Sequence, residues 1–175
     1  MHHDIAARTA DLALTSGGSP RRVLDVGCGT GLLLRLLADR LAGAKELVGI
    51  DAAAGMIAVA KSTPNDPRLS FSNGVAENLP YPDASFDLVV STTSFDHWED
   101  QGGGLSECAR VLAPNGHFVL TDLFSTLLVP TVLFGHRDRA RTKHRAEAFL
   151  RAAGFRTMEW HSLYSLIIGT VVASK

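Results

Sequence analysis

The sequence predicts one α/β domain over residues 1–175: a doubly wound sheet of seven strands, mostly parallel, with an antiparallel hairpin at its C-terminal edge. Short apolar runs rich in β-branched residues alternate with longer stretches of helical period, the order that places helices on both faces of a parallel sheet. A tight glycine loop joins the first run to the first of these helices. The last two runs are joined too closely for a helical crossover, so they must pair antiparallel.

Arg22 to Val26 reads as the first strand and Gly27 to Gly31 as the loop. A helix follows with an apolar stripe of Leu32, Leu33, Leu36, Leu37 and Leu41. Leu47 to Ile50 is the second strand, ending at Asp51, and the next helix carries Met56, Ile57 and Ala60 and stops before Pro64. Leu69 to Ser72 is a third strand, and Asn73 to Ser85 a polar loop. Phe86 to Ser91 reads as an apolar strand around Leu88, Val89 and Val90, as a central parallel strand should. A helix over Leu105 to Leu112 ends at the turn Pro114-Asn115-Gly116, before a fifth strand from Phe118 to Asp122. An apolar segment, 123–135, leads to a helix from Arg139 to Ala153 that closes on Gly154. The hairpin strands are Phe155 to Tyr164 and Leu166 to Ala173.

With 17 Lys+Arg against 18 Asp+Glu the net charge is −1, which offers no global field for nucleic acid or anionic membranes. The basic run Arg137, Arg139, Arg141, Lys143, Arg145 reads as a solvated face. Cys28 and Cys108 lack metal-ligand spacing, so no disulfide framework is expected and a reducing cytoplasm fits best. No apolar stretch is long enough to span a bilayer, and the N-terminus has no signal-peptide core. His2 and His3 are assigned no function.

The segment Val23-Leu24-Asp25-Val26-Gly27-Cys28-Gly29-Thr30-Gly31 carries most of the functional information. Glycines permit positive φ and let a ligand approach the backbone, and the loop opens into a helix N-terminus. A dinucleotide site has G-x-G-x-x-G and receives a pyrophosphate. Here the glycines read G-x-G-x-G, and Asp25 at the strand end would repel a pyrophosphate but receive an ammonium. Asp51, about twenty residues further on, stands where an acid accepts ribose hydroxyls; the alternative is a helix N-cap. Cys28 has no histidine near it in sequence to act as base, so a nucleophilic role is not expected.

These residues resemble the class I S-adenosylmethionine-dependent methyltransferases, a Rossmann-like family, in the type 11 branch similar to ubiquinone and menaquinone biosynthesis methyltransferases. The likeness covers Arg21 to Ser174. It continues in Val48-Gly49-Ile50-Asp51, in Gly74-Val75-Ala76-Glu77-Asn78-Leu79-Pro80, in Ser85-Phe86-Asp87-Leu88-Val89-Val90-Ser91, and in Arg110-Val111-Leu112-Ala113-Pro114-Asn115-Gly116. The resemblance implies that Gly27, Cys28, Gly29, Thr30 and Gly31 border the methionine and ribose of S-adenosylmethionine, with Asp25 near the ammonium. Asp51 would bind the ribose hydroxyls, Ala52 and Met56 would pack on the adenine, and the Ala76 N–H would meet the adenine ring. Ser91 would line the methionine side, or simply finish its strand. The family usually has Asp where Val75 stands, which leaves adenine recognition to backbone groups, Glu77 and packing. Its N-terminal capping helix is normally longer than residues 1–20, so either the lid is short or residues precede it.

The implied reaction is methyl transfer to a small-molecule acceptor, releasing S-adenosylhomocysteine and needing no metal. The acceptor should sit against Thr92-Thr93-Ser94-Phe95-Asp96-His97-Trp98. His97 is the candidate general base; a structural loop histidine is the alternative. The Asn/Asp-Pro-Pro-Tyr motif of DNA- and protein-amide methyltransferases is absent, as is the Asp-Asn pair of metal-dependent catechol-type enzymes, since Leu123 follows Asp122. Leu123 to Phe134, within a proposed acceptor region 123–153, either lines a pocket for a lipophilic acceptor or packs on the core. A homodimer through the edge hairpin or this segment is open. The competing readings are a non-catalytic S-adenosylmethionine-binding module and, disfavoured by the glycine spacing, a nicotinamide-dependent oxidoreductase.

Overall fold

The computed structural model describes residues 1–63, 66–124, 142–164 and 167–175. Helix α1 (His2–Gly17) precedes strand β1 (Arg22–Val26). Helix α2 (Leu32–Arg40) leads to β2 (Glu46–Asp51), and α3 (Ala54–Ser62) to β3 (Leu69–Asn73). Strand β4 (Phe86–Thr92) passes through a 3-10 turn (Phe95–His97) into α4 (Gln101–Val111), which runs directly into β5 (Leu112–Leu123). Helix α5 (Lys143–Ala152) and strands β6 (Thr157–Tyr164) and β7 (Ile168–Ser174) complete the chain.

The strands form one sheet in the order β3-β2-β1-β4-β5-β7-β6. The first five are mutually parallel, and β7 runs antiparallel to both β5 and β6. Strand side chains alternate between faces, and both faces are covered. Val23, Leu47, Leu88 and Val90 pack with α1, α2 and α3, whereas Leu24, Val48, Val89 and Leu120 pack with α4 and α5. The expected doubly wound sheet with an antiparallel edge is therefore what the chain forms.

Several element boundaries differ from expectation, each for a local reason. The buried stripe of α2 is Leu33, Leu34, Leu37 and Ala38, while Leu32 and Leu36 are only partly buried. Helix α4 starts at Gln101, four residues before the predicted Leu105, through a run of glycines that reads as a breaker. The Asp100 carboxylate caps it by accepting from the Gly103 N–H at 2.9 Å. Gly104 gives the Trp98 ring its place, since a Cβ there would lie 2.5 Å from Trp98 Cε3.

Strand β5 begins at Leu112 rather than Phe118, because the predicted Pro114-Asn115-Gly116 turn is absorbed into it. The pairing jumps from Phe86–Leu112 to Leu88–His117, so the extra residues of β5 form an irregularity in the ladder. At Gly116 a Cβ would lie 2.8 Å from the Asp87 carbonyl oxygen, so this close approach needs glycine. Most of the apolar segment after Leu123 and the start of the predicted helix at Arg139 lie outside the described residues. So do Arg137, Arg139 and Arg141 of the basic run and Leu166 of the last predicted strand.

Candidate active site

The strand order reverses between β1 and β4: the chain moves outward from β1 through β2 to β3, then returns to β4 on β1's other side. The loops leaving β1 and β4 diverge there, and a crevice at the carboxyl ends of the strands is the usual result. A cleft of about 790 Å3 opens at this point.

The β1 loop forms the floor. Its first two N–H groups donate to the Ile50 carbonyl, from Gly27 at 2.8 Å and Cys28 at 3.1 Å, tying the loop to β2. Gly27, Gly29 and Gly31 have φ of 76°, 54° and 80°, a region in which a Cβ is strained. They do different things. A side chain on Gly27 would collide with Ser94, and one on Gly31 would meet the Phe71 ring at 2.6 Å. At Gly29 a Cβ would meet nothing within 4 Å. Gly27 and Gly29 line the cleft, as do Cys28 and Thr30, whereas Gly31 lies off it as the N-cap of α2.

Asp51 ends β2 with its carboxylate turned into this loop. One oxygen accepts from the Gly29 N–H at 2.8 Å and the other from the Ala53 N–H at 2.8 Å. Asp51 thus holds both the glycine loop and the lead-in to α3, whose N-cap is Ala53. A carboxylate has about four acceptor sites, so its outward lone pairs remain for hydroxyls in the cleft, which Asp51 also lines.

Asp25 lies deeper on β1, 2 % exposed and on the cleft wall. Among the described residues no hydrogen-bond donor reaches its carboxyl. Burial first, and the Asp51 charge second, push it up to about 8. The Cys28 thiol, also buried, is held far above its ordinary range by burial, then by Asp25 and Asp51, so it is no nucleophile.

One side of the mouth is formed by Ala52 and by Met56, 47 % exposed. Val75, 46 % exposed, Ala76 and Glu77 also line the cleft. Glu77 accepts from the Asp100 N–H at 3.1 Å, which links this loop to the start of α4.

The loop after β4 supplies a further part of the wall. Ser91, expected on the wall, is fully buried behind it. Its hydroxyl pairs at 2.8 Å with that of Ser94, which also donates to the Val26 carbonyl at 3.0 Å and does line the cleft. The chain turns here through Thr93, which has φ 53° and is pinned by its N–H to the Thr121 carbonyl at 2.8 Å. The buried carboxyl of Asp122 accepts from the Phe95 N–H at 2.8 Å and fixes the following 3-10 turn. That turn carries His97 onto the cleft wall beside Trp98 and Glu99. Thr92, also on the wall, has a buried Oγ1 with no hydrogen-bond partner.

The sequence placed Ser94 in the loop after β4 without a role and did not single out Glu99, His2 or Ala6, all of which line the cleft. His2 and Ala6 of α1 line the cleft, while Ile5, Thr9, Ala10 and Ala13 bury the helix against the sheet. The resemblance implied an N-terminal helix over the pocket, and His2 and Ala6 are the residues of α1 that line the cleft.

Among the described residues no group of three or more His, Cys, Asp or Glu is arranged to hold a metal ion, and no helix is long and apolar enough to cross a membrane.

Solved structures share this architecture. A putative methyltransferase of Haloferax volcanii, solved with the Trm112 methyltransferase activator, matches with a TM-score of 0.83 at 23% identity, covering 99% of this chain and 89% of that one. An S-adenosylmethionine-dependent methyltransferase from Mesorhizobium loti matches with a TM-score of 0.79 at 21% identity, covering 99% and 100%. The sheet order, the glycine loop after β1 and the acid ending β2 define a class I, Rossmann-like methyltransferase fold. The chain belongs to the family described as "Methyltransferase domain", whose model matches residues 24–120. It is 43% identical over 117 residues to the demethylmenaquinone methyltransferase of Deinococcus radiodurans, covering 66% of this chain and 48% of that protein. It is 34% identical over 169 residues to the malonyl-[acyl-carrier protein] O-methyltransferase of Geobacter sulfurreducens, covering 89% and 63%. The chain thus spans about half to two thirds of the length of these curated relatives.

Proposed function

We propose that this chain is an S-adenosylmethionine-dependent methyltransferase acting on a small-molecule acceptor. The observation that carries the reading is the Asp51 carboxylate, held by Gly29 and Ala53 N–H groups at the mouth of a cleft whose floor is open above Gly29. The residues fit the group. Asp51 has acceptor sites left for two ribose hydroxyls, and Asp25 is a buried carboxyl that meets no donor among the described residues, which an ammonium would supply. Met56, Ala52 and Val75 offer apolar surface for the adenine, and the Ala76 N–H and Glu77 its polar contacts.

When bound, S-adenosylmethionine supplies a methyl group on a sulfonium, open to in-line displacement with the electron pair of the broken bond returning to sulfur. What the chain contributes is position: the β1 loop fixes one partner, and the loop after β4 holds the other against it. His97 lines the cleft on the turn fixed by Asp122, which supports its assignment as the base that takes the proton of an O–H or N–H acceptor. Curated relatives are named for quinone precursors and for malonyl-[acyl-carrier protein]. Within that range we favour lipophilic small molecules as this chain's acceptor, because residues 123–134 are mostly apolar in sequence.

Calorimetric titration with S-adenosylmethionine and S-adenosylhomocysteine tests the cofactor, and S-adenosylhomocysteine release across an acceptor panel tests the reaction. Binding is expected to weaken at least tenfold, about 1.4 kcal/mol, in Asp51→Ala. No binding by the wild type withdraws the proposal. Binding without turnover on any acceptor leaves a non-catalytic S-adenosylmethionine module.

A further inference from the structure

The connection from β3 to β4, residues 74–85, contains no helix or strand, so its path is fixed by the groups that hold it. Gly74, Val75, Ala76 and Glu77 of this loop line the cleft. The residues that follow are held from α4 by Glu107 and Arg110, which stand one turn apart on the same helix face. The Leu79 N–H donates to the Glu107 carboxylate at 2.9 Å. The Arg110 guanidinium donates to the Leu79 carbonyl at 3.0 Å, the Tyr81 carbonyl at 2.8 Å and the Asp83 carboxylate at 2.8 Å. The Ala84 N–H donates to the Arg110 carbonyl at 3.0 Å. Glu107 and Arg110 are joined to each other by two hydrogen bonds of 2.7 Å, and both stand off the cleft wall.

This clamp holds the loop chiefly by its backbone. A planar guanidinium directs several N–H groups at once, so Arg110 spans partners that a lysine ammonium, a compact point of charge, does not. On the cleft side, Val75 and Ala76 carry no polar group on their side chains. A base lying there meets backbone N–H and C=O groups and the Glu77 carboxylate, which is tied to the Asp100 N–H at 3.1 Å. Hydrogen bonds weaken steeply as they bend or lengthen, so backbone recognition is only as selective as the loop is firmly held. Adenine presents an acceptor at N1 and an amino donor beside it. Hypoxanthine presents a donor at N1 and a carbonyl oxygen beside it, which reverses the pattern at both places.

We propose that Glu107 and Arg110 are positioning residues for base recognition. By holding residues 79–84 against α4, they set the backbone from Val75 to Glu77 to take adenine and to reject hypoxanthine. This rests on the cleft being the S-adenosylmethionine site proposed above, and it assigns the selectivity of that site to a pair of side chains that never touch the ligand.

The test titrates the full chain with S-adenosylhomocysteine and with S-inosylhomocysteine, its deaminated counterpart, and reads the ratio of the two affinities. The wild type is expected to prefer the adenine compound by about tenfold or more, the worth of one or two hydrogen bonds. Arg110→Lys should reduce that preference several-fold, through weaker binding of S-adenosylhomocysteine with S-inosylhomocysteine little changed. Glu107→Gln, which uncharges the partner, should reduce it in the same direction. Arg68→Lys is the control, because Arg68 likewise donates to a backbone carbonyl, that of Ala38 at 2.8 Å, and to Asp66 at 2.7 Å, but off the cleft. It should lower thermal stability and leave the preference as it is. A wild type that binds both compounds equally overturns the proposal while leaving the cofactor reading in place. Loss of the same factor on both compounds in Arg110→Lys also overturns it, because a merely structural arginine would do that. Should Arg110→Lys fail to fold in thermal unfolding, the ratio in Glu107→Gln decides, and an unchanged ratio there counts against the proposal. Failure of S-adenosylhomocysteine to bind the wild type removes the cofactor reading together with this one.

Discussion

Asp25 is a carboxyl group sealed into a β-strand, with no donor among the described residues and a second carboxylate nearby. In the unfolded chain it would titrate near 3.9, whereas in the fold it is pushed up to about 8. The folded state therefore binds this proton more tightly than the unfolded state. The resulting stability is fully present below about pH 4 and is lost as pH rises through about 8. Asp25→Asn removes this titration, so the ligand-free variant should match the wild type in thermal stability near pH 4. It should gain on the wild type progressively up to about pH 8. A difference in Tm that stays flat with pH would show that Asp25 titrates normally. The same substitution should weaken S-adenosylmethionine binding, because the ammonium loses its carboxylate. In the wild type, binding at pH 7 should release close to one proton, measured as a dependence of calorimetric enthalpy on buffer ionisation.

The β1–α2 connection shows how three identical residues divide one task. All three glycines are left-handed, which costs a side chain roughly 1–2 kcal/mol. Gly27 and Gly31 also face atoms that a Cβ would strike, in Ser94 and Phe71, and overpacking adds about 1–3 kcal/mol. Gly27→Ala and Gly31→Ala should therefore lower unfolding free energy by about 2–5 kcal/mol in denaturant titrations. Gly29→Ala should lose only about 1–2 kcal/mol, yet abolish the cofactor-induced stabilisation, because its Cβ would stand in the cleft. Equal losses at all three positions would contradict this division. The sequence displayed the loop, Asp25 and Asp51 plainly, because each closes or follows an apolar strand in phase. It did not display that Ser94 rather than Ser91 reaches the wall, since that depends on the chain reversing at Thr93. The early start of α4 was hidden because Gly102, Gly103 and Gly104 carry no helical signal. Only the Asp100 cap and the Trp98 ring, both tertiary partners, make that start stable.

Across the whole molecule, the cleft is where separately built parts meet. One side comes from β1, β2 and α3, the other from the loop after β4, and His2 and Ala6 of α1 reach the same cleft. Direct bonds that join the parts include Ser94 to the Val26 carbonyl at 3.0 Å and Glu77 to the Asp100 N–H at 3.1 Å. A ligand touching both sides binds the folded state alone and so stabilises all of it. At a concentration of a hundred times its Kd, S-adenosylhomocysteine should add about 2.7 kcal/mol. For a chain of this length that raises Tm by about 5–10 °C. Asp51→Ala should lose most of that shift, because it removes the bond to Gly29 together with the proposed ribose contact. NAD should produce no comparable shift, because the glycines read G-x-G-x-G rather than the G-x-G-x-x-G that receives a pyrophosphate. A larger shift with NAD than with S-adenosylhomocysteine would mean that the loop serves a dinucleotide after all, and that its compact glycine spacing does not discriminate between the two ligands.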